Sequence, residues 1–284
     1  MRSVVVTGVS TGIGRGATQV LIDKGFHVFG TVRKQTDADR LKQAYGDQFT
    51  PLLFDVTDAA GARASVETVR KALNGQTLAG LVNNAGIAVA GPLLMLPIED
   101  FRQQMEVNVT GLVITSQAFA PLLAADPGTT GAPGRIVNIS SVGGRNAMPF
   151  MAPYSASKFA VEAISESLRR ELQLFGIDVI VVAPGAVATP IWDKADEVDV
   201  TPYAGSAYAP GLDRLRAFMM ESGPKGLPPE TIGLAIHKAL TVARPKVRYT
   251  VTPDPIQALM SEILPKRMLD RIVGKRLGLL PDKG

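Results

Sequence analysis

Short apolar runs, mostly of β-branched residues, recur along the whole chain and are separated by segments with helical spacing. The seven runs cover residues 4–6, 28–32, 51–54, 78–82, 135–139, 179–182 and 247–251. Runs of this length and composition predict β-strands. Several of them, such as residues 179–182, are apolar without interruption, which is typical of strands buried on both faces of a sheet.

Five segments between the runs carry apolar residues at helical spacing: 13–24, 59–73, 101–123, 155–175 and 232–240. Strands that alternate with helices indicate βαβ units and a parallel sheet. Because such crossovers are right-handed, we predict a single doubly wound α/β domain of the Rossmann type, with helices on both faces. We expect this domain to span residues 1–253 and an amphipathic extension to span residues 254–284.

The segment from about residue 190 to residue 229 breaks the alternation, since it is rich in Pro and Gly and contains no clear strand. Long irregular segments in compact domains often cover a binding site, so we predict a substrate lid here. Trp192 in this segment, together with Met148 and Phe150, is a candidate for an apolar substrate pocket. Since Met side chains adapt to many shapes, the pattern does not define the shape of that pocket.

Composition excludes several classes of protein. With 46% apolar and 20% charged residues, the 284-residue chain is neither disordered nor collagen-like nor a coiled coil. It has no Cys, which excludes disulfides and thiolate metal sites, and with only His27 and His237 we expect no metal centre. We identify neither a signal peptide nor a membrane-spanning run, so we expect a cytoplasmic protein.

The net charge of +4 is distributed unevenly along the chain. Residues 243–284 contain nine basic and four acidic side chains, a net charge of +5, which leaves −1 for the other 242 residues. A near-neutral body argues against a nucleic-acid partner, because nucleic-acid binding needs a basic face.

The C-terminal extension reads as two amphipathic helices separated at Pro265. The apolar stripes are Ile256, Leu259, Met260 and Ile263, then Met268, Leu269, Ile272 and Val273, and the second helix also carries Lys266, Arg267, Arg271, Lys275 and Arg276. Most amphipathic helices pack on protein, here either their own domain or a partner subunit. A basic amphipathic helix can equally lie peripherally on an anionic membrane, and both interpretations remain open.

A glycine-rich turn follows the first predicted strand and opens the first predicted helix, with the pattern Gly8-x3-Gly12-x-Gly14. Glycines permit a tight turn and the close approach of a ligand, and the helix N-terminus attracts a pyrophosphate. The candidate cofactor-binding residues here are Gly8, Ser10, Thr11, Gly12, Ile13 and Gly14. The alternative is a glycine turn without a ligand.

The end of the second predicted strand indicates which dinucleotide binds. An NAD site places an acidic residue here for the ribose 2′-hydroxyl, but this chain has Arg33 and Lys34 and no acid before Asp37. Two cations can bind a 2′-phosphate through charge-assisted hydrogen bonds, so we predict NADP(H), with NAD(H) as the alternative. The competing interpretation is that both are solvated loop charges.

Tyr154 and Lys158 lie four residues apart at the start of a predicted helix and therefore share a face. A phenol has a pKa of about 10, and a nearby ammonium favours its ionised form. Tyr154 can then exchange a proton with an alcohol or carbonyl oxygen. Taken alone, the pair is equally consistent with a solvated surface contact.

Taken together, these motifs resemble the short-chain dehydrogenase/reductase family from about residue 2 to at least residue 251. In chain order they are the glycine turn, Asn83-Asn84-Ala85-Gly86, Asn108, Ser141, Tyr154-x3-Lys158 and Pro184-Gly185-x3-Thr189. Ser141 is preferred over Ser140 because it precedes Tyr154 by 13 residues, as in the family. The resemblance implies the strand order 3-2-1-4-5-6-7, reversible hydride transfer between an alcohol and nicotinamide, and a homodimer or homotetramer.

The resemblance also implies roles for individual residues. Tyr154 would be the general acid/base, Lys158 would lower its pKa and hold the nicotinamide ribose, and Ser141 would bind the substrate oxygen. Asn108 would hold a water that relays protons, although an asparagine that only kinks its helix is the alternative. The further residues expected to contact the cofactor are Asp55, Val56, Asn84, Ala85, Gly86, Pro184, Gly185, Val187 and Thr189.

Residues 237–280 resemble, more loosely, the extension of the hydroxysteroid and retinol dehydrogenase branch, which implies a lipophilic alcohol or ketone as substrate. A different class of function is a dinucleotide sensor without turnover, or a membrane-surface protein, on the same fold. The complete set of Asn108, Ser141, Tyr154 and Lys158 favours the enzyme, because a sensor needs no proton relay.

Overall fold

Seven parallel strands form one sheet in the order β3-β2-β1-β4-β5-β6-β7. The computed structural model describes residues 2–124, 129–189 and 201–281. The strands are β1 Arg2–Val6, β2 Phe26–Val32, β3 Phe49–Leu53, β4 Gly80–Asn83, β5 Arg135–Ile139, β6 Asp178–Pro184 and β7 Arg248–Val251. Each coincides with a predicted run, and the predicted fold class and strand order are confirmed. Trp192 and residues 190–200 of the predicted lid lie outside the described residues.

The helices are α1 Gly12–Asp23, α2 Gln35–Tyr45, α3 Ala59–Leu73, α4 Ile98–Met105, α5 Gly111–Phe119, α6 Ala152–Glu171, α7 Ala209–Ser222, α8 Pro229–Thr241, α9 Pro255–Ile263 and α10 Lys266–Leu277. The five helical segments predicted for the domain and the two predicted for the extension are all present. Sequence analysis did not predict α2 or α7. In α2 only Ala38 and Leu41 are buried, which leaves too weak an apolar pattern.

The long helix predicted over residues 101–123 is not regular. A π-helical turn, Glu106–Thr110, separates α4 from α5, and a 3-10 turn, Ala120–Leu123, ends the segment. A π-helical turn widens the helix by one residue and often occurs at a functional site. Asn108 lies inside this turn and is buried.

Two apolar layers cover the two faces of the sheet. One combines strand residues with α1 and α8, and the other combines them with α3 and the end of α5. Helices α1 and α8 approach very closely, since a Cβ on Gly16 would lie 2.6 Å from Cβ of Pro229. Leu21 and Ile236 are fully buried in this first layer.

A third apolar cluster joins the C-terminal extension to the main domain. It contains Phe150, Tyr203, Leu212, Leu215 and Leu277, of which Leu277 belongs to α10. Helix α10 therefore packs directly on α7, a helix of the predicted lid. The proposed division of the chain at residue 253 stays a prediction.

Candidate active site

The glycine turn has the geometry of a cradle for a ligand. Gly8 and Gly12 adopt φ values of +69° and +57°, which side chains with a Cβ rarely tolerate. A Cβ on Gly14 would lie 2.1 Å from the carbonyl oxygen of Gly8, so the turn has no room for one. Thr11, at the N-cap of α1, makes no side-chain cap hydrogen bond. No side chain therefore caps the N-terminus of α1, whose first N–H groups are the kind of donors that bind a pyrophosphate in dinucleotide sites.

Asn84, which follows β4, is hydrogen-bonded to the glycine turn that follows β1. Its Nδ2 donates to the carbonyl oxygens of Thr7 and Gly8 at 2.9 and 3.1 Å. Oγ1 of Thr7 in turn accepts from the backbone N–H groups of Asn84 and Ala85, both at 2.9 Å. Because β1 and β4 are adjacent, these bonds join two loops at the carboxyl edge of the sheet, where ligands of doubly wound folds bind. Thr7 was not among the predicted site residues.

The two predicted 2′-phosphate ligands are exposed at the end of β2. The Arg33 side chain is 71% exposed, and its Nη1 lies 3.6 Å from Oδ2 of Asp55. Lys34 is exposed at the N-cap of α2. Burial acts to raise the pKa of Asp55, but hydrogen bonds from Thr57 and the charge of Arg33 outweigh it, so this pKa is lowered.

A further cation, Arg40, reaches the glycine turn from α2. Its Nη2 donates to the carbonyl oxygen of Ser10 at 3.0 Å and to Oδ1 of Asp37 at 2.8 Å. Sequence analysis missed Arg40 because it missed α2. The structure therefore places the Arg40 guanidinium at the glycine turn and the Arg33 guanidinium beside Asp55.

Ser141, Tyr154 and Lys158 come together where β5 ends and α6 begins. Oγ of Ser141 accepts from the Gly143 N–H at 3.0 Å and donates to the carbonyl oxygen of Pro184 at 3.5 Å, and it lies close enough to the Tyr154 hydroxyl to act on its pKa. Nζ of the buried Lys158 donates to the carbonyl oxygen of Ile139 at 2.9 Å. Nζ lies 5.7 Å from the centre of the Tyr154 ring.

The electrostatics of this group differ from the prediction. Burial lowers the pKa of Lys158 to about 8, against an opposing effect of the Glu162 charge. Burial also raises the pKa of Tyr154, and the hydrogen bond with Ser141, not Lys158, is the contact that acts to lower it. The expected depression of the pKa of Tyr154 by Lys158 is thus wrong for this structure. The reason is that the spacing predicts proximity but not the desolvation of both groups.

Asn108 does more than kink its helix. Its Oδ1 accepts from the N–H of Ile87 at 2.8 Å, while its Nδ2 donates to the carbonyl oxygen of Ile87 at 3.0 Å and to Oγ of Ser157 at 3.0 Å. The Ser157 hydroxyl donates to the carbonyl oxygen of Tyr154 at 2.7 Å. Asn108 therefore connects the loop after β4 to the turn of α6 that carries Tyr154.

Gln104 supports Asn108 from one helical turn earlier. It accepts from the N–H of Val89 at 2.7 Å and donates to the carbonyl oxygen of Ile87 at 2.9 Å. Gln104 is completely buried and lies four residues before Asn108, so both side chains hold the backbone of Ile87. The spacing is visible in the sequence, but the shared target, Ile87, is not.

A small cavity of about 10 Å³ lies between Asn108 and Lys158. It is lined by Thr7, Val56, Asn83, Ala85, Asn108, Gly111, Leu112, Thr115, Ile139 and Lys158. A cavity of this size with several polar walls holds about one water molecule.

The turn after β6 closes the site opposite the glycine turn. Gly185 is held by a hydrogen bond from its N–H to the carbonyl oxygen of Val251 at 2.8 Å, and Val187 is buried. A Cβ on Gly12 would lie 3.4 Å from Cβ of Thr189, so these two segments meet. The structure therefore brings predicted cofactor residues from distant parts of the sequence next to each other.

The predicted substrate residues that the structure describes are less accessible to a ligand than expected. Phe150 is only 6% exposed and belongs to the third apolar cluster, where its ring meets that of Tyr208 edge-on at 6.2 Å. Met148 is half-buried. Tyr203 and Leu212, which lie within the predicted lid, are packed around Phe150.

A network of ion pairs lies beside Ser141 and Lys158. Nε of Arg248 lies 3.1 Å from Oε1 of Glu162, one turn after Lys158, and Arg248 also donates to the carbonyl oxygen of Ser141 at 3.4 Å. Nη1 of Arg145 lies 3.1 Å from Oε2 of Glu262 in α9. The C-terminal extension is thereby linked to both sides of the candidate active site.

Among the described residues, no group of three or more His, Cys, Asp or Glu side chains is arranged to hold a metal ion. No helix in the same part of the chain has the length and apolar character needed to cross a membrane.

Fold and site together define a dinucleotide-binding α/β protein in which the half-buried Tyr154 lies beside the buried Ser141 and Lys158. Residues 2–199 match the family described as short chain dehydrogenase. The chain belongs to this family and is an oxidoreductase.

Two relatives and one solved structure show how far the similarity extends. The chain is 40% identical over 279 residues to the "NADPH-dependent 3-dehydrocapnine reductase" of Ornithobacterium rhinotracheale, which covers 98% of each chain. It is 33% identical over 269 residues to the mitochondrial D-beta-hydroxybutyrate dehydrogenase of Rattus norvegicus, or 87% of this chain and 76% of that one. A short-chain dehydrogenase structure from Streptomyces avermitilis has 27% identity and a TM-score of 0.76, and covers 96% of this chain and 94% of its own.

Proposed function

We propose that the protein is an NADP(H)-dependent oxidoreductase that interconverts a lipophilic alcohol and its ketone or aldehyde, with Tyr154 as general acid/base. The observation that carries this proposal is the convergence of Ser141, Tyr154 and Lys158 beside a glycine turn with no room for a Cβ. The cradle fits a dinucleotide, which would be held by the turn and by the segment from Pro184 to Thr189. Bound nicotinamide would supply or accept the hydride.

The protein residues manage the proton and the charge on the substrate oxygen. Tyr154 donates its proton to the carbonyl oxygen during reduction, and the Ser141 hydroxyl binds that oxygen as negative charge develops. Because burial raises the pKa of Tyr154, the phenol is protonated at neutral pH, which suits carbonyl reduction. The relative with 40% identity is likewise named a reductase.

Lys158 and Asn108 provide a route for the replacement proton. The cavity between them accommodates about one water, and a Lys158 whose pKa is about 8 can both accept and donate a proton near neutral pH. Asn108 positions the loop that forms the wall of this cavity through its two bonds to Ile87.

The decisive experiment is a Tyr154→Phe variant. We expect hydride transfer to a ketone, followed through NADPH absorbance, to fall by at least about a hundredfold, because general acid catalysis of this kind contributes at least that much. NADPH binding, measured by fluorescence, should persist. Tyr45→Phe, on α2, is the matched control and should retain activity. Unchanged turnover in Tyr154→Phe would contradict the assigned role, and a wild-type protein that binds NADPH without any turnover would favour the sensor.

The preference for NADP(H) rests on the exposed cations at the end of β2 and on Arg40 at the glycine turn. A 2′-phosphate gains charge-assisted hydrogen bonds from such groups. We expect Arg33→Ser with Lys34→Ser to raise the KM for NADPH at least about tenfold and to leave the KM for NADH unchanged. Arg63→Ser with Lys71→Ser, which removes the same charge from α3, is the control. A wild-type preference for NADH would overturn this part of the proposal.

The lipophilic substrate is inferred from the resemblance of residues 237–280 to the hydroxysteroid and retinol dehydrogenase branch, and from Leu94 and Ile98, which are 86% and 57% exposed beyond the loop that contains Gly91. The Gly91 N–H donates to the carbonyl oxygen of Phe150 at 2.7 Å, so this loop borders the third apolar cluster. In a series of methyl ketones, each added methylene should raise kcat/KM by about threefold to fourfold until the pocket is filled. A kcat/KM that does not depend on chain length would contradict a lipophilic substrate.

A homodimer or homotetramer through the long helices is also part of the proposal. Phe159 on α6 and Leu174 just beyond it remain 44% and 82% exposed in the single chain. Light scattering that finds only a monomer would refute this assembly.

A further inference from the structure

The apolar stripe of α9 points away from the protein. Ile256, Leu259, Met260 and Ile263 are 74%, 58%, 41% and 63% exposed. Their spacing of i, i+3, i+4 and i+7 places them on one face of the helix. A surface helix normally buries that face, but no residue described by the structure covers it here.

The inner side of α9 explains this orientation. It carries the half-buried small residues Ala258 and Ser261. Glu262, beside the stripe, is held by Arg145 at 3.1 Å, and its Oε1 lies 3.8 Å from Nη1 of Arg248. The helix is therefore attached to the domain through ion pairs and small contacts, while its large apolar side chains face outward.

Helix α10, which follows α9 after Pro265, has an exposed face of its own that carries positive charge. Met268 and Ile272 are 51% and 49% exposed, and Arg271 and Lys275, which share their face by the same spacing, are exposed as well. The opposite face, with Leu277, packs on α7. The outer face of α10 thus combines apolar and cationic side chains.

We propose that the outer faces of α9 and α10 dock on an anionic lipid bilayer. The apolar stripe of α9 enters the interfacial region, and the cations of α10 bind the lipid headgroups. An anionic bilayer is favoured because its charge is complementary to that of the α10 cations. Lys266, Arg267, Arg271 and Lys275 make no ion pair with any residue in the described ranges, so their charge is available to an anionic partner.

A second copy of the chain fits this surface less well. In a two-fold symmetric pair the same patch meets itself, which would bring the cations of α10 near their own copies at a cost in repulsion. A surface position, not insertion, also matches the length of α10, because a helix of 12 residues cannot span a bilayer. Since α10 packs on α7, docking places a helix of the predicted lid beside the membrane.

Co-sedimentation of the full chain with vesicles tests the proposal. We expect binding to vesicles of equimolar phosphatidylserine and phosphatidylcholine, weaker binding at high salt, and little binding to phosphatidylcholine alone. Arg271→Gln with Lys275→Gln should weaken binding about 25-fold, from about fivefold for each cation near the surface. Leu259→Ser with Ile263→Ser should weaken it at least about tenfold.

Matched control variants distinguish binding through this surface from nonspecific binding to vesicles. Leu234→Ser removes an apolar side chain that is 51% exposed on α8, and Arg63→Gln with Lys71→Gln removes two charges from α3. Both should bind vesicles like the wild type. NADPH binding without vesicles verifies that each variant is folded, so the docking and the proposed reaction can fail independently.

Three results would overturn the proposal. The first is equal sedimentation with and without phosphatidylserine, and the second is equal loss of binding in the controls. The third is a Leu259→Ser/Ile263→Ser variant that binds vesicles normally but changes from oligomer to monomer in light scattering, since that assigns the stripe to a subunit interface.

Discussion

The buried ammonium of Lys158 should be measurable as a pH-dependent cost to stability. Lys158 is 7% exposed, and burial lowers its pKa from 10.5 to about 8 in the folded chain. Below about pH 8 both the folded and the unfolded chain hold this proton, and the full cost of burying the charge, about 3 kcal/mol, is present. Between pH 8 and 10.5 only the unfolded chain holds it, so stability rises with pH in that window.

Lys158→Met removes this titration. The stability advantage of the variant over the wild type should therefore be largest near pH 7 and should shrink by about 2 to 3 kcal/mol by about pH 10. Loss of the hydrogen bond to the carbonyl oxygen of Ile139 costs about 1 to 3 kcal/mol, but this cost does not vary with pH. The quantity to measure is therefore the change with pH of the difference in free energy of unfolding between the variant and the wild type. The value of that difference at a single pH is not informative.

Urea unfolding of both proteins at a series of pH values provides that slope. Lys71→Met, which removes an exposed lysine from α3, is the control and should show a flat difference from the wild type. Other titrating groups cancel because they are common to all three proteins. A flat difference for Lys158→Met as well would show that the ammonium is not desolvated, and would refute the reasoning.

Three further outcomes are expected. Gly14→Ala should abolish NADPH binding in a fluorescence titration, because the new Cβ would lie 2.1 Å from the carbonyl oxygen of Gly8; unchanged affinity would contradict the cradle. Leu277→Ala should lower the free energy of unfolding by about 2 to 4 kcal/mol, since this side chain is 3% exposed; a loss below about 1 kcal/mol would mean that α10 is not firmly packed. Arg248→Met should destabilise the chain by about 2 kcal/mol by leaving Glu162, 16% exposed, with its carboxylate poorly paired. Adding Glu162→Gln should restore part of that loss, and additive effects would argue against a coupled pair.

The inner strands were predictable because they are nearly continuous apolar runs buried on both faces, whereas β3 and β7 at the two edges of the sheet are only partly buried. Val179 and Val182, for example, are completely buried in β6. Their order followed from the resemblance of the motifs, not from the runs themselves. Helix α7 was missed because the Pro and Gly residues around it suggest a loop, although Leu212 and Leu215 bury a helical face in the third cluster.

The site was predictable where its residues are close in sequence. The glycine turn and the Tyr154 and Lys158 pair each lie within seven residues, so local spacing places them together. Contacts such as that of Asn108 with Ser157 depend on how two helices cross, which spacing does not reveal. The reversed shift of the pKa of Tyr154 has the same origin, because burial is a property of the assembled fold.

The π-helical turn at Glu106–Thr110 takes up one extra residue while the helices on either side keep their orientation. Deleting one residue inside the turn would therefore restore a regular helix and leave Gln104 and Leu112 on their present faces, but it would displace Asn108 from its two hydrogen bonds to Ile87. A deletion in the regular helix α5 has no such outlet, so it would rotate the residues that follow by about 100° and move Phe119 from its buried position. We expect a one-residue deletion inside the turn to cost activity, and a one-residue deletion in α5 to cost stability as well.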